Sequence, residues 1–165
     1  RDGDMLPLNS PTRNFSQSVG VRQLLWGNRI RVLPGPEYRE FSREAQQALW
    51  RTGWVLSPQS NRMGYRLQGR TLQRSKPREL LSHAVIPGTI QVTNGGQPVV
   101  LMADAQTTGG YPRIGVVISA DLYHLAQIRP GEPVHFIYCT LDEARQAKQH
   151  QQHALDMMKW GLIGS

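Results

Sequence analysis

The segment DAQTTGGYPRIG, from Asp104 to Gly115, carries an unusual density of hydrogen-bonding groups. It follows the apolar run Val99 to Ala103 and precedes Ile114 to Ile118, so it reads as a loop joining two buried strands. An acid, Asp104, stands where the first strand ends. Gln106, the hydroxyls of Thr107 and Thr108, bare backbone at Gly109 and Gly110, and then Tyr111 and Arg113 follow. Glycine lets an anion approach the backbone N–H groups closely, so a ligand site is one reading. The structural alternative is that Asp104 bonds nearby N–H groups, Gly109-Gly110 supplies a positive-φ turn and Tyr111-Pro112 wedges the loop. A second constellation, SPQSNRMGYRLQG from Ser57 to Gly69, sets Ser60, Asn61, Arg62 and Arg66 around Gly64. Two arginines beside a glycine can grip a carboxylate or phosphate, or simply mark a surface loop before an edge strand.

Other chemistry is sparse. The sequence contains no G-x-x-x-x-G-K-[ST] phosphate loop, no G-x-S-x-G elbow, no H-E-x-x-H and no paired Cys-x-x-Cys. His150 and His153 are three apart on an expected helix, a spacing that can bind metal, but no carboxylate or Cys lies near them in sequence. A solvated polar face is the expectation, and no metal site is expected. The single Cys139 rules out an internal disulfide and is expected to be a buried, inert thiol.

Period-two segments separated by Gly and Pro supply the scaffold. Seven strands are expected: one in NRIRVLPGP, with Ile30 and Val32 inward, then Trp54–Leu56, Tyr65–Gly69, Gly88–Val92, 99–103, 114–118 and Val134–Tyr138. Asn94-Gly95-Gly96 signals a hairpin, and Pro130-Gly131 suits a type II turn. Three helices are expected among the strands. Ser42 caps the first, which Gly53 ends; a short one covers Asp121 to Ile128 from a start at Ser119; the last begins with the capping box Thr140-Leu141-Asp142-Glu143 and runs to about Trp160. The pattern fits a mainly β barrel or sandwich, not a parallel sheet with crossover helices.

At 165 residues the chain is long enough for one domain with a real core. Its charge of +7 is spread along the sequence, and only Lys76, Lys148 and Lys159 among 19 basic residues are lysine. Nucleic acid is therefore not an expected partner. No apolar run is long enough to span a membrane and no signal pattern opens the sequence, so a cytoplasmic location is expected. Residues 1–18 are polar and broken by Pro7 and Pro11; they read as a lead-in or linker from a missing N-terminal half, with a domain over 19–165.

SNRMGYRLQG, ELLSHAVIPGTIQV and GQPVVLMADAQTTGGYPRIGVVISADLYHLAQIRPGEPVHF together resemble, in order, the allophanate hydrolase subunit 2 or KipA-like family, which includes the C subunits of bacterial ATP-dependent 5-oxoprolinases. The resemblance runs from about Val21 to the last helix. It implies a cyclophilin-like β-barrel with a few flanking helices, including a C-terminal one, forming the C-terminal half of a longer carboxyltransferase-type subunit. It also implies ATP-driven opening of 5-oxo-L-proline to L-glutamate, with subunits A and B as partners, ATP with Mg2+ as the nucleotide and a small anionic amide as the substrate. Phosphorylation of the lactam oxygen would make it a leaving group that water displaces. In that reading Asp104 is the catalytic candidate, as general base or ligand of a metal-bound water. Gln106, Thr107, Thr108, Gly109, Gly110 and Tyr111 line the substrate or phosphate; Arg62, Arg66 or Arg113 pairs with the anion; Gln91 orients the amide. The isolated chain is expected to be inert. A regulatory module antagonising a kinase inhibitor, as KipA-like proteins are named for, and a urea carboxylase-type carboxyltransferase are the alternatives.

Overall fold

The computed structural model describes residues 25–76 and 78–163; the lead-in at 1–18 lies outside them. Nine strands form among the described residues: β1 Arg29–Pro34, β2 Trp54–Leu56, β3 Gly64–Gln68, β4 His83–Ala84, β5 Thr89–Val92, β6 Pro98–Leu101, β7 Thr108–Gly109, β8 Arg113–Val117 and β9 Pro133–Tyr138. Seven close a barrel in the order β1-β8-β5-β6-β3-β2-β9, and β4 and β7 form a separate two-stranded sheet. The barrel strands match the seven expected segments to within about two residues. The β4–β7 pair was not expected, because two residues carry no alternation to read.

The period-two pattern fills the interior. Ile30, Val32, Trp54, Leu56, Leu67, Ile90, Val100, Ile114, Val117, Val134 and Phe136 form the core, all nearly inaccessible to solvent. The polar end of the largest is satisfied, since Trp54 Nε1 donates to the Leu49 carbonyl at 3.2 Å. The seam is a parallel pairing of β1 with β9, from Arg29 opposite His135 to Val32 opposite Tyr138. The other pairings among the described strands are antiparallel.

Helix α1 spans Arg43–Arg51, and Ser42 Oγ accepts from Ala45 N at 3.1 Å as its cap. It ends at an extended Thr52 and not through a left-handed glycine. Gly53 instead makes room for His135, whose Cε1 would lie 3.0 Å from an added Cβ. The expected short helix is a 3-10 turn, Ser119–Asp121, followed by α2, Leu122–Ala126. Ser119 does not cap it; Asp121 is buried and takes three hydrogen bonds from Arg31. Helix α3, Leu141–Ile163, starts on the expected capping box: Thr140 N donates to Glu143 Oε2 at 2.7 Å and Glu143 N to Thr140 Oγ1 at 3.3 Å.

Both glycine turns form as expected. Gly96, φ +74°, closes the β5–β6 hairpin, and Gly131, φ +89°, takes the positive-φ position after Pro130. Cys139 is a buried free thiol, and burial raises its pKa.

Candidate functional site

Strands β6 and β8 flank β5, so the chain between them must cross it. Residues 102–112 make that crossing. On the way, β7 pairs with β4, Gly109 opposite His83 and Thr108 opposite Ala84, and Val85 N donates to the Thr107 carbonyl at 2.9 Å. The resulting flap covers the outer wall of the barrel. All four β5 residues are buried: Ile90 and Val92 inside the barrel, Gln91 beneath the flap against Gly109, and Thr89, whose Oγ1 accepts from Ile86 N at 3.3 Å.

The two polar loops meet at one end. Asp104 N donates to the Arg62 carbonyl at 3.1 Å, Met102 N to the Met63 carbonyl at 3.1 Å, and Arg62 Nε lies 3.3 Å from Asp104 Oδ2. The Arg62 side chain is 90% exposed and that of Asp104 49%. Gln106, Thr107, Thr108, Gly110 and Tyr111 are also exposed or half-buried at the surface. Arg66 stands apart from this group, opposite Val99 on the outer surface of β3, where Ser60 Oγ accepts from its backbone N–H at 3.0 Å.

A second group lies under the flap. A β-bulge shifts the β5–β8 register between Ile90 and Gln91, so that Gln91 faces Arg113 while Ile114 and Gly115 both point into the barrel. Bulges re-aim side chains in this way, and Arg113 is left on the outer wall beside Gln91. There it is already engaged. Its Nε and Nη2 donate to the two oxygens of Glu37 at 2.8 Å each, and its backbone N–H adds a third bond at 3.0 Å. The fork of Arg113, expected as a partner for a substrate anion, is filled by a buried carboxylate of its own fold. Burial alone would push Glu37 up, but the Arg113 hydrogen bonds outweigh it and hold the carboxyl below its ordinary range; Glu37 in turn raises the Arg113 pKa.

Gly109 is explained by contact and not by a turn. Its φ is not positive, and an added Cβ would stand 2.6 Å from Gln91 Nε2. Gln91 Nε2 also reaches the Tyr111 carbonyl at 3.5 Å. Sequence reasoning missed Glu37 and His83. Glu37 follows a Pro-Gly-Pro turn and lies 76 positions from its partner. His83 sits among apolar neighbours in LLSHAVI, the one local signal that it is partly buried.

Among the described residues no group of three or more His, Cys, Asp or Glu could hold a metal ion, and no helix is long and apolar enough to cross a membrane. The barrel fold is shared with known proteins. The chain belongs to the family described as carboxyltransferase domain, subdomain A and B, whose model matches residues 1–138. Within it the chain is 59% identical over 98% of its length to the C subunit of 5-oxoprolinase from Escherichia coli, spanning 52% of that protein. It is 46% identical over 86% of its length to the C subunit of 5-oxoprolinase from Haemophilus influenzae, spanning 46% of that one. The chain thus spans about half the length of these curated relatives. Among solved structures, urea amidolyase of K. lactis matches 82% of the chain, and 9% of its own, with a TM-score of 0.76 at 27% identity.

Proposed function

We propose that this chain is part of a 5-oxoprolinase C subunit, which opens 5-oxo-L-proline to L-glutamate with hydrolysis of ATP in a complex with subunits A and B. The observation that carries the reading is the 59% identity across nearly the whole chain to a protein of that name. The site geometry is compatible with it. Asp104, exposed and oriented by Arg62, is the group available to take a proton from water or to align it. The Thr107 and Thr108 hydroxyls and the backbone around Gly110 offer donors to a developing oxyanion, and Gln91 offers an amide to match the lactam. With Arg113 engaged by Glu37 and Arg66 standing apart, Arg62 remains for the substrate carboxylate. No step of this proposal runs through a metal on this chain.

Assembly is part of the proposal. Leu81, Ile86, Met63 and Tyr111 are 89, 62, 52 and 44% exposed on the segments that flank the loop, a surface suited to being covered by another polypeptide. The test is reconstitution of the full-length subunit with its partners, following glutamate and ADP. Asp104→Asn should lower turnover by at least about a hundredfold if Asp104 handles the proton. Unchanged turnover in a folded variant would remove it from the chemistry. A urea carboxylase-type carboxyl transfer is the second reading, favoured by the family model and the urea amidolyase fold match; carboxylation of an amide in place of ring opening would support it.

A further inference from the structure

His83 is unaccounted for by any role above. Its Nδ1 lies 3.1 Å from the Leu81 carbonyl, which can only accept, so Nδ1 carries the proton and Nε2 presents a lone pair. That Nε2 is shut off from solvent and has no hydrogen-bond partner among the described residues. Buried polar atoms are almost always paired, and one left alone calls for a missing donor.

The surroundings indicate what kind of donor. His83 is directly opposite Gly109, and directly opposed residues on paired strands project from the same face. The face of Gly109 is known, because a Cβ there would run into Gln91 Nε2. The imidazole therefore hangs from the flap toward the barrel wall, on the side where Gln91 lies. Glu37 makes no hydrogen bond to the ring and is itself only an acceptor, filled by Arg113. Gln91 Nε2 has a single partner, at 3.5 Å. The space beneath the flap thus combines an unsatisfied acceptor with a weakly engaged donor.

We propose that His83 Nε2 and Gln91 Nε2 form a subsite for a cis-amide group, His83 accepting the ligand's N–H and Gln91 donating to its C=O, entered by lifting the two-residue β4–β7 pairing. A lactam has both groups on one edge. The proposal rests on the 5-oxoprolinase reading for its choice of ligand, but its test does not require turnover. The probes are 2-pyrrolidinone, which has the lactam edge and no carboxylate, and N-methyl-2-pyrrolidinone, which lacks the N–H. Binding is followed through the His83 ring and Gln91 amide NMR signals in this chain.

The unsubstituted lactam should bind at least about tenfold more tightly, the difference expected for one unpaired buried group. His83→Phe should abolish that preference, and His83→Gln, which keeps an acceptor near the Nε2 position, should retain it. Equal binding of the two lactams, or an unchanged preference in folded His83→Phe, overturns the subsite. The expected preference together with no ring opening by the assembled complex would leave the subsite standing and remove the 5-oxoprolinase reading.

Discussion

Glu37 anchors Arg113 at the start of β8 although nothing in the sequence marks it. Its carboxylate is buried and takes three bonds from one arginine, so Arg113→Ala should cost about 2–4 kcal/mol of folding stability by leaving a buried charge unpaired. Arg145→Ala, which breaks an exposed pair with Asp142, should cost under about 0.5 kcal/mol; urea unfolding of both variants checks the contrast, and equal midpoints would refute it. The same carboxyl makes stability depend on pH. Because its folded pKa lies below the ordinary value of 4.5, its contribution is present above that value and is lost as the pH falls through the folded pKa. Glu37→Gln should lower stability at pH 7 yet lose less between about pH 5 and pH 3 than the parent, and parallel profiles would count against the linkage. Asp104 and Gly109 could be singled out from sequence because unusual residue types clustered there, and Gln91 only through the family resemblance. Glu37 and His83 could not, since an ion pair or an orphaned ring nitrogen arises only once distant segments are brought together.

The strands and caps were legible because their physics is local. Ile30 and Val32 alternate with arginines, Thr140 and Glu143 have capping-box spacing, and Gly96 and Gly131 stand where turns need positive φ. The β5–β8 bulge was not legible, and it decides where Arg113 points. The glycines at Gly35 and Gly109 likewise answer to tertiary neighbours. A Cβ at Gly35 would lie 2.2 Å from the Arg113 carbonyl oxygen, whereas at Gly109 it meets only the end of the Gln91 side chain. Gly35→Ala should therefore cost more than about 2 kcal/mol, because backbone must move, and Gly109→Ala less than about 1 kcal/mol, because the amide can swing away. Thermal melts test the order. Gly109→Ala should nonetheless shift the Gln91 amide signals, and their constancy would mean that the flap does not rest on that side chain.

Across the whole molecule the mainly β class could be read from seven alternating segments and the barrel only through the family resemblance, whereas the flap could not be read from either. The 165-residue chain alone is expected to convert no 5-oxoproline in the presence of ATP, and measurable release of glutamate from it would refute the need for assembly. The parallel β1–β9 seam also bears on how the chain comes into being. Residues 29–34 pair with β8 along one edge, but along the other they find their partner only in residues 133–138, so closure waits until nearly the whole barrel has been synthesised, and contacts of such long sequence separation form slowly. Until then β1 and β2 each present a bare edge, since β9 is the neighbour of both. Nascent or clipped chains ending before Pro133 should pair with one another through those edges and precipitate, which makes β9 the strand whose arrival turns a sticky intermediate into a sealed one.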